Sequence, residues 1–216
     1  MVIENTILIA GASRGVGQEI AQQLRQEGKA VVALLRSPSA SPDLNTIGVK
    51  VAQGDAFNPS DLAQIFQQNP SISVVISTLG GVSPDGRRVD DEGNINLIDV
   101  AVQAGVQHFL LVSSIGTSES SVALPPQVLE TLKGALIAKA KAEQHLINSG
   151  LTYTIIRPGG LKSEPATHQA ILSEDYRISG LICRADVASL VCSCVGDESR
   201  LNKVFSAIDP TLEMRR

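Results

Sequence analysis

The chain has 216 residues, 43% of them hydrophobic, and a chain of this size can bury one substantial core but not two domains of ordinary size. Its formal net charge is −4 and its isoelectric point is near 5.4, and no cluster of Lys or Arg supplies the positive surface that nucleic acid requires. No segment approaches the roughly 20 apolar residues that cross a bilayer, and no basic leader precedes the first apolar run at Thr6, so we expect one cytoplasmic domain over 1–216 that binds neither membrane nor nucleic acid.

Short runs rich in Val, Ile and Leu alternate with longer segments whose apolar residues recur at a helical period. The predicted strands are Thr6–Ala10, Ala30–Leu35, Val49–Gln53, Ser73–Ser77, His108–Ser113, Thr152–Ile156 and Lys203–Ala207. The predicted helices cover approximately residues 16–28, 60–68, 91–105, 127–149 and 185–195. This alternation predicts an α/β fold with a single Rossmann-type, doubly wound parallel sheet covered by helices on both faces. Residues from about 157 to 216 are too few for a substrate domain, and we expect them to include a small C-terminal cap.

Two long loops, Leu79–Asp90 and Ser114–Pro126, follow strands that end at the carboxyl edge of the predicted sheet. Ligands bind along this edge in open α/β sheets. Length alone does not separate a binding loop from a plain surface connection, so both interpretations stay open.

Three cysteines, Cys183, Cys192 and Cys194, lie close together near the end of the chain. An odd number at such spacing does not make a disulfide framework, and it favours a reducing compartment. Cys192 and Cys194 stand two residues apart on a predicted helix and do not face each other. We therefore predict small buried side chains and no metal site.

The stretch from Gly11 to Gly17 reads "GASRGVG" and connects the first strand to the first helix. The glycines allow a tight turn, a close approach of a pyrophosphate to the backbone, and close packing of helix on strand. The start of the helix offers free N–H groups and the positive end of its dipole. Because strand, glycines and helix occur in this order, the sequence predicts a dinucleotide site.

The second strand ends at Arg36, where a site that prefers NAD carries an acidic residue for the ribose 2′-hydroxyl. A guanidinium at this position pairs instead with a 2′-phosphate, and Arg14 in the glycine loop can reach the same phosphate. The two arginines therefore predict NADP(H). Asp55 follows the third strand and has two interpretations, an acceptor for the adenine amino group or a cap for the next turn.

With these features the chain resembles the short-chain dehydrogenase/reductase superfamily over nearly its whole length. The resemblance is carried by "GASRGVG", by "GD" at 54–55, "STLGG" at 77–81, "VSS" at 112–114, "KAKAEQHL" at 139–146, "IIRPGGL" at 155–161 and "RADVA" at 184–188. The chain is most similar to the atypical NAD(P)H-binding members, which include flavin and biliverdin reductases and NmrA-like proteins.

The resemblance implies roles for individual residues. Ser114 matches the serine beside the reacting centre, and Lys139 matches the lysine that holds the nicotinamide ribose. From the residues alone, Ser114 has a second interpretation as a turn cap, and Lys139 has one as a solvated helix residue. The remaining residues that the resemblance assigns to the cofactor are Ser13, Val16, Gly15, Ala56, Thr78, Leu79, Gly80, Gly81, Ser113, Pro158, Gly159 and Gly160.

One departure bears on the chemistry. The main branch of the superfamily has a catalytic tyrosine four residues before the lysine, but this chain has Ala135 there, and neither Tyr153 nor Tyr176 has a lysine four residues later. Hydride transfer to an ordinary ketone needs a proton donor, whereas an acceptor with a large π-system spreads the charge. We therefore predict an NADPH-dependent reductase of a planar acceptor such as a flavin, biliverdin or a quinone.

Two other interpretations stay open. An NADP(H)-binding redox-sensing or assembly protein needs only the nucleotide site, and the missing tyrosine favours it. A nucleotide-sugar epimerase needs both the tyrosine and a larger C-terminal region, so it fits less well. No face of the chain is marked as an interface, and the sequence is compatible with a monomer.

Overall fold

The computed structural model describes residues 5–37 and 43–212 and contains a mostly parallel, eight-stranded sheet flanked by helices. The strands are β1 (Thr6–Ala10), β2 (Ala30–Leu35), β3 (Lys50–Gln53), β4 (Ile72–Ser77), β5 (His108–Val112), β6 (Tyr153–Pro158), β7 (Gly160–Lys162), β8 (Ile171–Ser173), β9 (Leu181–Cys183) and β10 (Lys203–Ile208). The helices are α1 (Gly15–Gln26), α2 (Asp43–Thr46), α3 (Pro59–Gln68), α4 (Asn94–Gln103), α5 (Pro126–Asn148) and α6 (Arg184–Cys194). The predicted Rossmann-type α/β fold is therefore confirmed.

The strand order in the main sheet is β3-β2-β1-β4-β5-β6-β10-β8. All neighbours pair in parallel except β8, which runs antiparallel to β10 at the edge. The chain reverses its winding direction between β1 and β4, and ligands bind at such a switch point in open α/β sheets. Strands β7 and β9 form a separate two-stranded sheet beside the carboxyl edge.

Two apolar layers bury the faces of the sheet. On one face α1 and α6 pack on alternate strand residues such as Ile7 and Ile9, and on the other α3, α4 and α5 pack on Leu8 and Val75. The central strands are apolar on both faces because both faces are covered. Among the described residues, no helix is both long and apolar enough to span a membrane.

Helix α4 begins at Asn94 and not at about residue 91, because a turn of π-helix over Val89–Gly93 precedes it. The predicted loop Ser114–Pro126 contains a 3-10 helix at Ser118–Ala123. The C-terminal segment contributes β8 and β10 to the main sheet and β7 and β9 to the small one.

Candidate functional site

A groove with a volume of about 1240 Å³ follows the carboxyl edge of the sheet. This exceeds the roughly 300–1,000 Å³ of a pocket for one drug-sized ligand, so it has room for a dinucleotide and a second molecule. Residues after β1, β2, β3, β4, β5 and β6 contribute to the walls. Apart from Gly160, all the residues that the sequence assigns to catalysis or to the cofactor line this groove.

The turn between β1 and α1 requires glycine at two positions. Gly11 has a φ of +94°, and a Cβ atom on Gly17 would lie 2.3 Å from the carbonyl oxygen of Gly11. Arg14 occupies the N-cap position of α1, but its side chain makes no hydrogen bond to the helix. The first N–H groups of this helix therefore remain available to an anion in the groove. The turn therefore has the geometry of a phosphate cradle.

Two arginines of the groove are available to an anionic ligand. Arg14 and Arg36 are both exposed and line the groove. Within residues 5–37 and 43–212, neither has a carboxylate within ion-pair distance. Arg36 follows β2 directly, and Arg14 precedes α1. This end of the groove therefore carries positive charge that no described side chain neutralises.

Asp55 performs the capping role and also lines the groove. Its Oδ1 accepts a hydrogen bond of 2.9 Å from the backbone N–H of Phe57. Its own N–H donates to Asp61 Oδ2 at 3.0 Å, which fixes the turn after β3. The turn places Asp55 in the groove wall. A contact between its carboxylate and an adenine amino group stays a prediction.

Two adjacent serines at the end of β5 differ in their hydrogen bonds. The hydroxyl of Ser114 donates to the carbonyl oxygen of Ile115 at 2.9 Å. The hydroxyl of Ser113 is buried in the groove wall and has no hydrogen-bond partner within the described residues. An unpaired buried hydroxyl costs about 1–3 kcal/mol, so a ligand that pairs with Ser113 recovers this free energy. An unpaired hydroxyl is expected here if a bound ligand supplies its hydrogen-bond partner.

Lys139 lies beside a buried carboxylate that the sequence does not indicate. Its Nζ is 3.5 Å from Oδ1 of Asp90, whose side chain is 3% exposed. The other oxygen of Asp90 accepts from the N–H of Gly81 at 2.8 Å and from Arg88 at 3.2 Å. Burial lowers the pKa of Lys139, and attraction to Asp90 opposes this shift. Asp90 thus fixes both the lysine and the groove wall at Gly81.

A buried ion pair connects helix α5, which carries Lys139, to strand β6. Glu143, one turn after Lys139 on α5, accepts from Arg157 on β6 at 2.8 and 3.1 Å, and both side chains are at most 3% exposed. Thr117 donates to Glu143 at 2.9 Å, and Glu119 accepts from Arg157 at 2.6 Å. These contacts fasten α5 and the loop after β5 to the sheet.

The position one turn before Lys139 carries no proton donor. Ala135 stands there, and neither Tyr153 nor Tyr176 lines the groove. The titratable residues of the described wall are Asp55, Lys139 and arginines. Asp55 stands after β3 near the adenosine end, far along the sheet from the serines that follow β5. The groove therefore has no tyrosine beside those serines, and Lys139, held by Asp90, is the titratable side chain of the described wall at that end.

The loop Leu79–Asp90 forms part of the groove. Its chain folds back with an antiparallel bridge between Val82 and Arg88, and Arg87 stacks on the ring of Phe57 at 4.2 Å. Val82 and Ser83 line the groove. Of the two interpretations of this loop, a wall of the site is the one that the structure supports.

Gly160 lies outside the groove wall. Its N–H donates to the carbonyl oxygen of Gly180 at 2.9 Å, within the small sheet formed by β7 and β9. Conversely, the sequence assigns no role to several residues that line the groove: Leu34, Leu35, Gly54, Phe57, Val82, Ser83, Val89, Val112, Leu161, Ser163 and Arg184. Leu34, Leu35 and Val112 belong to predicted strands and the others lie outside the predicted strands, and no local pattern marks any of them as a ligand contact.

The three cysteines are buried and free, as the sequence predicts. Burial raises the pKa of the Cys192 thiol to about 12, so this sulfur is protonated and unreactive near neutral pH. Over the described ranges, no group of three or more His, Cys, Asp or Glu side chains has the arrangement of a metal site.

Comparison with known proteins agrees with this geometry. A family model for NAD(P)H-binding proteins matches residues 11–198, which include the glycine turn and the groove walls after β2, β3, β4, β5 and β6. The structure of ChuY, an anaerobillin reductase from Escherichia coli O157:H7, is 31% identical and superposes with a TM-score of 0.88. The match covers 98% of this chain and 100% of ChuY.

Two curated relatives come from plants. Sanguinarine reductase of Eschscholzia californica is 28% identical over 93% of this chain and 87% of the reductase. The chloroplast protein TIC 62 of Oryza sativa subsp. japonica is 31% identical over 95% of this chain. TIC 62 is much longer, and this chain spans 46% of its length.

Proposed function

Because this chain belongs to the NAD(P)H-binding family, we propose that it is a reductase that transfers a hydride from NADPH to a planar conjugated acceptor such as a flavin, biliverdin or a quinone. The observation that carries the proposal is a groove with a nucleotide cradle at one end and, at the other, two serines and Lys139 with Ala135 in place of the catalytic tyrosine. NADPH, when bound, supplies the hydride.

The choice of a phosphorylated cofactor depends on Arg14 and Arg36. Both line the groove: Arg36 follows β2, where the adenosine ribose of a dinucleotide lies in this fold, and Arg14 lies in the turn after the neighbouring strand β1. A guanidinium binds a phosphate with two parallel hydrogen bonds, and no described carboxylate competes for either side chain. These features support NADP(H) over NAD(H).

Reversing the charge of Arg36 tests this choice. We expect Arg36→Asp to weaken NADPH binding by roughly tenfold to hundredfold, since it removes a charge-assisted hydrogen bond and adds repulsion. Binding of NADH should change by no more than about twofold, because a carboxylate at this position accepts from the 2′-hydroxyl. Titration of nicotinamide fluorescence with each nucleotide measures both affinities.

The matched control is Arg177→Asp, which reverses the charge of an exposed arginine outside the groove. It should leave both affinities unchanged. An unchanged preference for NADPH over NADH in Arg36→Asp would contradict the assignment of Arg36 to the 2′-phosphate.

The class of acceptor follows from the missing donor. Hydride addition to an isolated ketone forms an alkoxide, and without a side chain to protonate it that reaction is slow. A conjugated acceptor spreads the charge over its π-system and can take a proton from water afterwards. The names of two relatives, an anaerobillin reductase and a sanguinarine reductase, also support a reductase of conjugated acceptors.

The residues at the acceptor end of the groove then have positioning roles. Lys139, held by Asp90, presents an amine to the nicotinamide ribose, and the hydroxyl of Ser113 is available to the cofactor amide or to the acceptor. The hydroxyl of Ser114 donates its hydrogen bond to the carbonyl oxygen of Ile115, so its oxygen remains available as an acceptor of hydrogen bonds. These groups orient two stacked rings but do not deliver a proton.

The experiment is a comparison of acceptors. We expect NADPH to be oxidised in the presence of biliverdin or FMN, and at a far lower rate with a simple cyclic ketone, as followed by loss of nicotinamide absorbance. Tight NADPH binding with no oxidation by any acceptor would favour the second candidate, a redox-sensing or assembly protein. The missing tyrosine also fits that candidate, since such a protein needs the nucleotide site alone.

A further inference from the structure

Arg184 lies against the glycine turn although more than 160 residues separate them in the sequence. It is the first residue of α6 and lines the groove. Its Nε and Cδ atoms are 3.8 and 3.9 Å from the position that a Cβ atom on Gly15 would occupy. Since Gly15 is the first residue of α1, the guanidinium of Arg184 stands beside the free N–H groups of that helix.

Contacts on two sides hold Arg184 in this place. Helix α6 packs on α1, and Gln23 of α1 donates to the carbonyl oxygen of Ala185 at 3.2 Å and accepts from Ser189 at 3.1 Å. On the other side Nη1 of Arg184 donates to Oγ of Ser163 at 2.7 Å. Ser163 reaches this position because β7 and β9 pair in parallel immediately before the two residues.

The charge of Arg184 has no carboxylate partner within ion-pair distance in the part of the chain that the structure describes. A guanidinium has five N–H donors, and the bond to Ser163 uses one of them. Arg184 is only partly exposed, so water does not surround the charge completely. An anion in the groove would pair with the charge of Arg184 and with its remaining N–H donors.

We propose that Arg184 binds the pyrophosphate of the nucleotide and closes the cradle opposite the start of α1. In the order β3-β2-β1-β4-β5-β6, the residues after β2 and those after β6 lie on opposite sides of β1. Arg36 follows β2, whereas Ser163, which holds Arg184, follows β6 and β7. Arg184 therefore binds the pyrophosphate, which NADPH and NADH share, and Arg36 binds the 2′-phosphate, which NADH lacks. This role depends on nucleotide binding and not on the identity of the acceptor.

Two matched variants, Arg184→Gln and Arg36→Gln, separate the roles when each is titrated with NADPH, NADH and 2′-AMP. Arg184→Gln should weaken NADPH and NADH by a similar factor, roughly tenfold to hundredfold, because both lose one charge-assisted contact. It should leave 2′-AMP binding unchanged, since 2′-AMP has no pyrophosphate. Arg36→Gln should weaken NADPH and 2′-AMP and spare NADH.

Unchanged NADH binding in Arg184→Gln would overturn the proposal, and so would a loss for 2′-AMP as large as the loss for NADPH. Thermal unfolding without nucleotide checks that the variant is folded. If Arg184→Gln does not fold, Arg184→Lys keeps the charge but loses the planar pair of donors, and it should weaken NADPH and NADH equally by a smaller factor. Equal affinity of Arg184→Lys and the unsubstituted protein for both nucleotides would then contradict the proposal.

Discussion

Replacing Gly17 by alanine is expected to weaken NADPH binding on the order of a hundredfold, because small displacements in a binding cradle have effects of this size. The added Cβ would lie 2.3 Å from the carbonyl oxygen of Gly11 and 2.6 Å from Oγ1 of Thr78. The nearest atom belongs to the backbone, so α1 has to move away from the turn. Its first N–H groups then no longer converge on the phosphate position. Isothermal titration with NADPH measures the loss.

Gly28→Ala is the matched control. Gly28 follows α1, has a φ of +78°, and has no atom within 4 Å of an added Cβ. Its left-handed conformation costs alanine roughly 1–2 kcal/mol in the free energy of unfolding. This control should lower stability without changing NADPH affinity. If Gly17→Ala bound NADPH as tightly as Gly28→Ala does, the glycine turn would not be the phosphate cradle.

Replacing Arg157 by methionine is expected to lower the free energy of unfolding by about 3–5 kcal/mol, the range for breaking one side of a buried ion pair. The substitution leaves the carboxylate of Glu143, which is 1% exposed, with only the hydroxyl of Thr117 as a partner. Methionine fills much of the volume of the arginine stem, so the loss reports mainly the unpaired charge and not a cavity. Urea denaturation measures the change.

Two controls test this cause. Lys133→Ala removes one side of an exposed pair with Glu130 on the same helix, and it should have no measurable effect on stability. The double variant Glu143→Leu/Arg157→Met removes both buried charges and should recover most of the lost stability. A double variant that is less stable than Arg157→Met alone would show that packing, and not the unpaired carboxylate, causes the loss.

The strands that were predicted from apolar runs are all present, and their ends agree within two residues. All of these strands except the edge strand β3 are buried along most of their length, so their own composition is sufficient to identify them. The short strands β7, β8 and β9 were not predicted. They lie in a segment rich in Gly, Pro and Ser, and they exist because they pair with each other or with β10. Pairing between distant segments leaves no periodic signal in either segment.

The same distinction applies to the site. The glycine turn, Arg14 and Arg36 belong to local patterns, so the sequence alone identifies them, and all of them line the groove. Asp90 meets Lys139, and Arg184 meets Gly15, only because helices from different parts of the chain pack on the sheet. The missing donor at Ala135 was visible in the sequence because it is one position in a motif, whereas the hydrogen bond that engages Ser114 required the structure.

The most direct test of the account is a single turnover with NADPH that carries deuterium at the transferable position of the nicotinamide. With biliverdin in the groove, the account predicts that the label appears in the reduced product and that the rate shows a primary isotope effect. We also expect that the rate does not depend on either tyrosine, since neither Tyr153 nor Tyr176 lines the described groove wall. A saturated complex with no label in any conjugated acceptor would contradict the account.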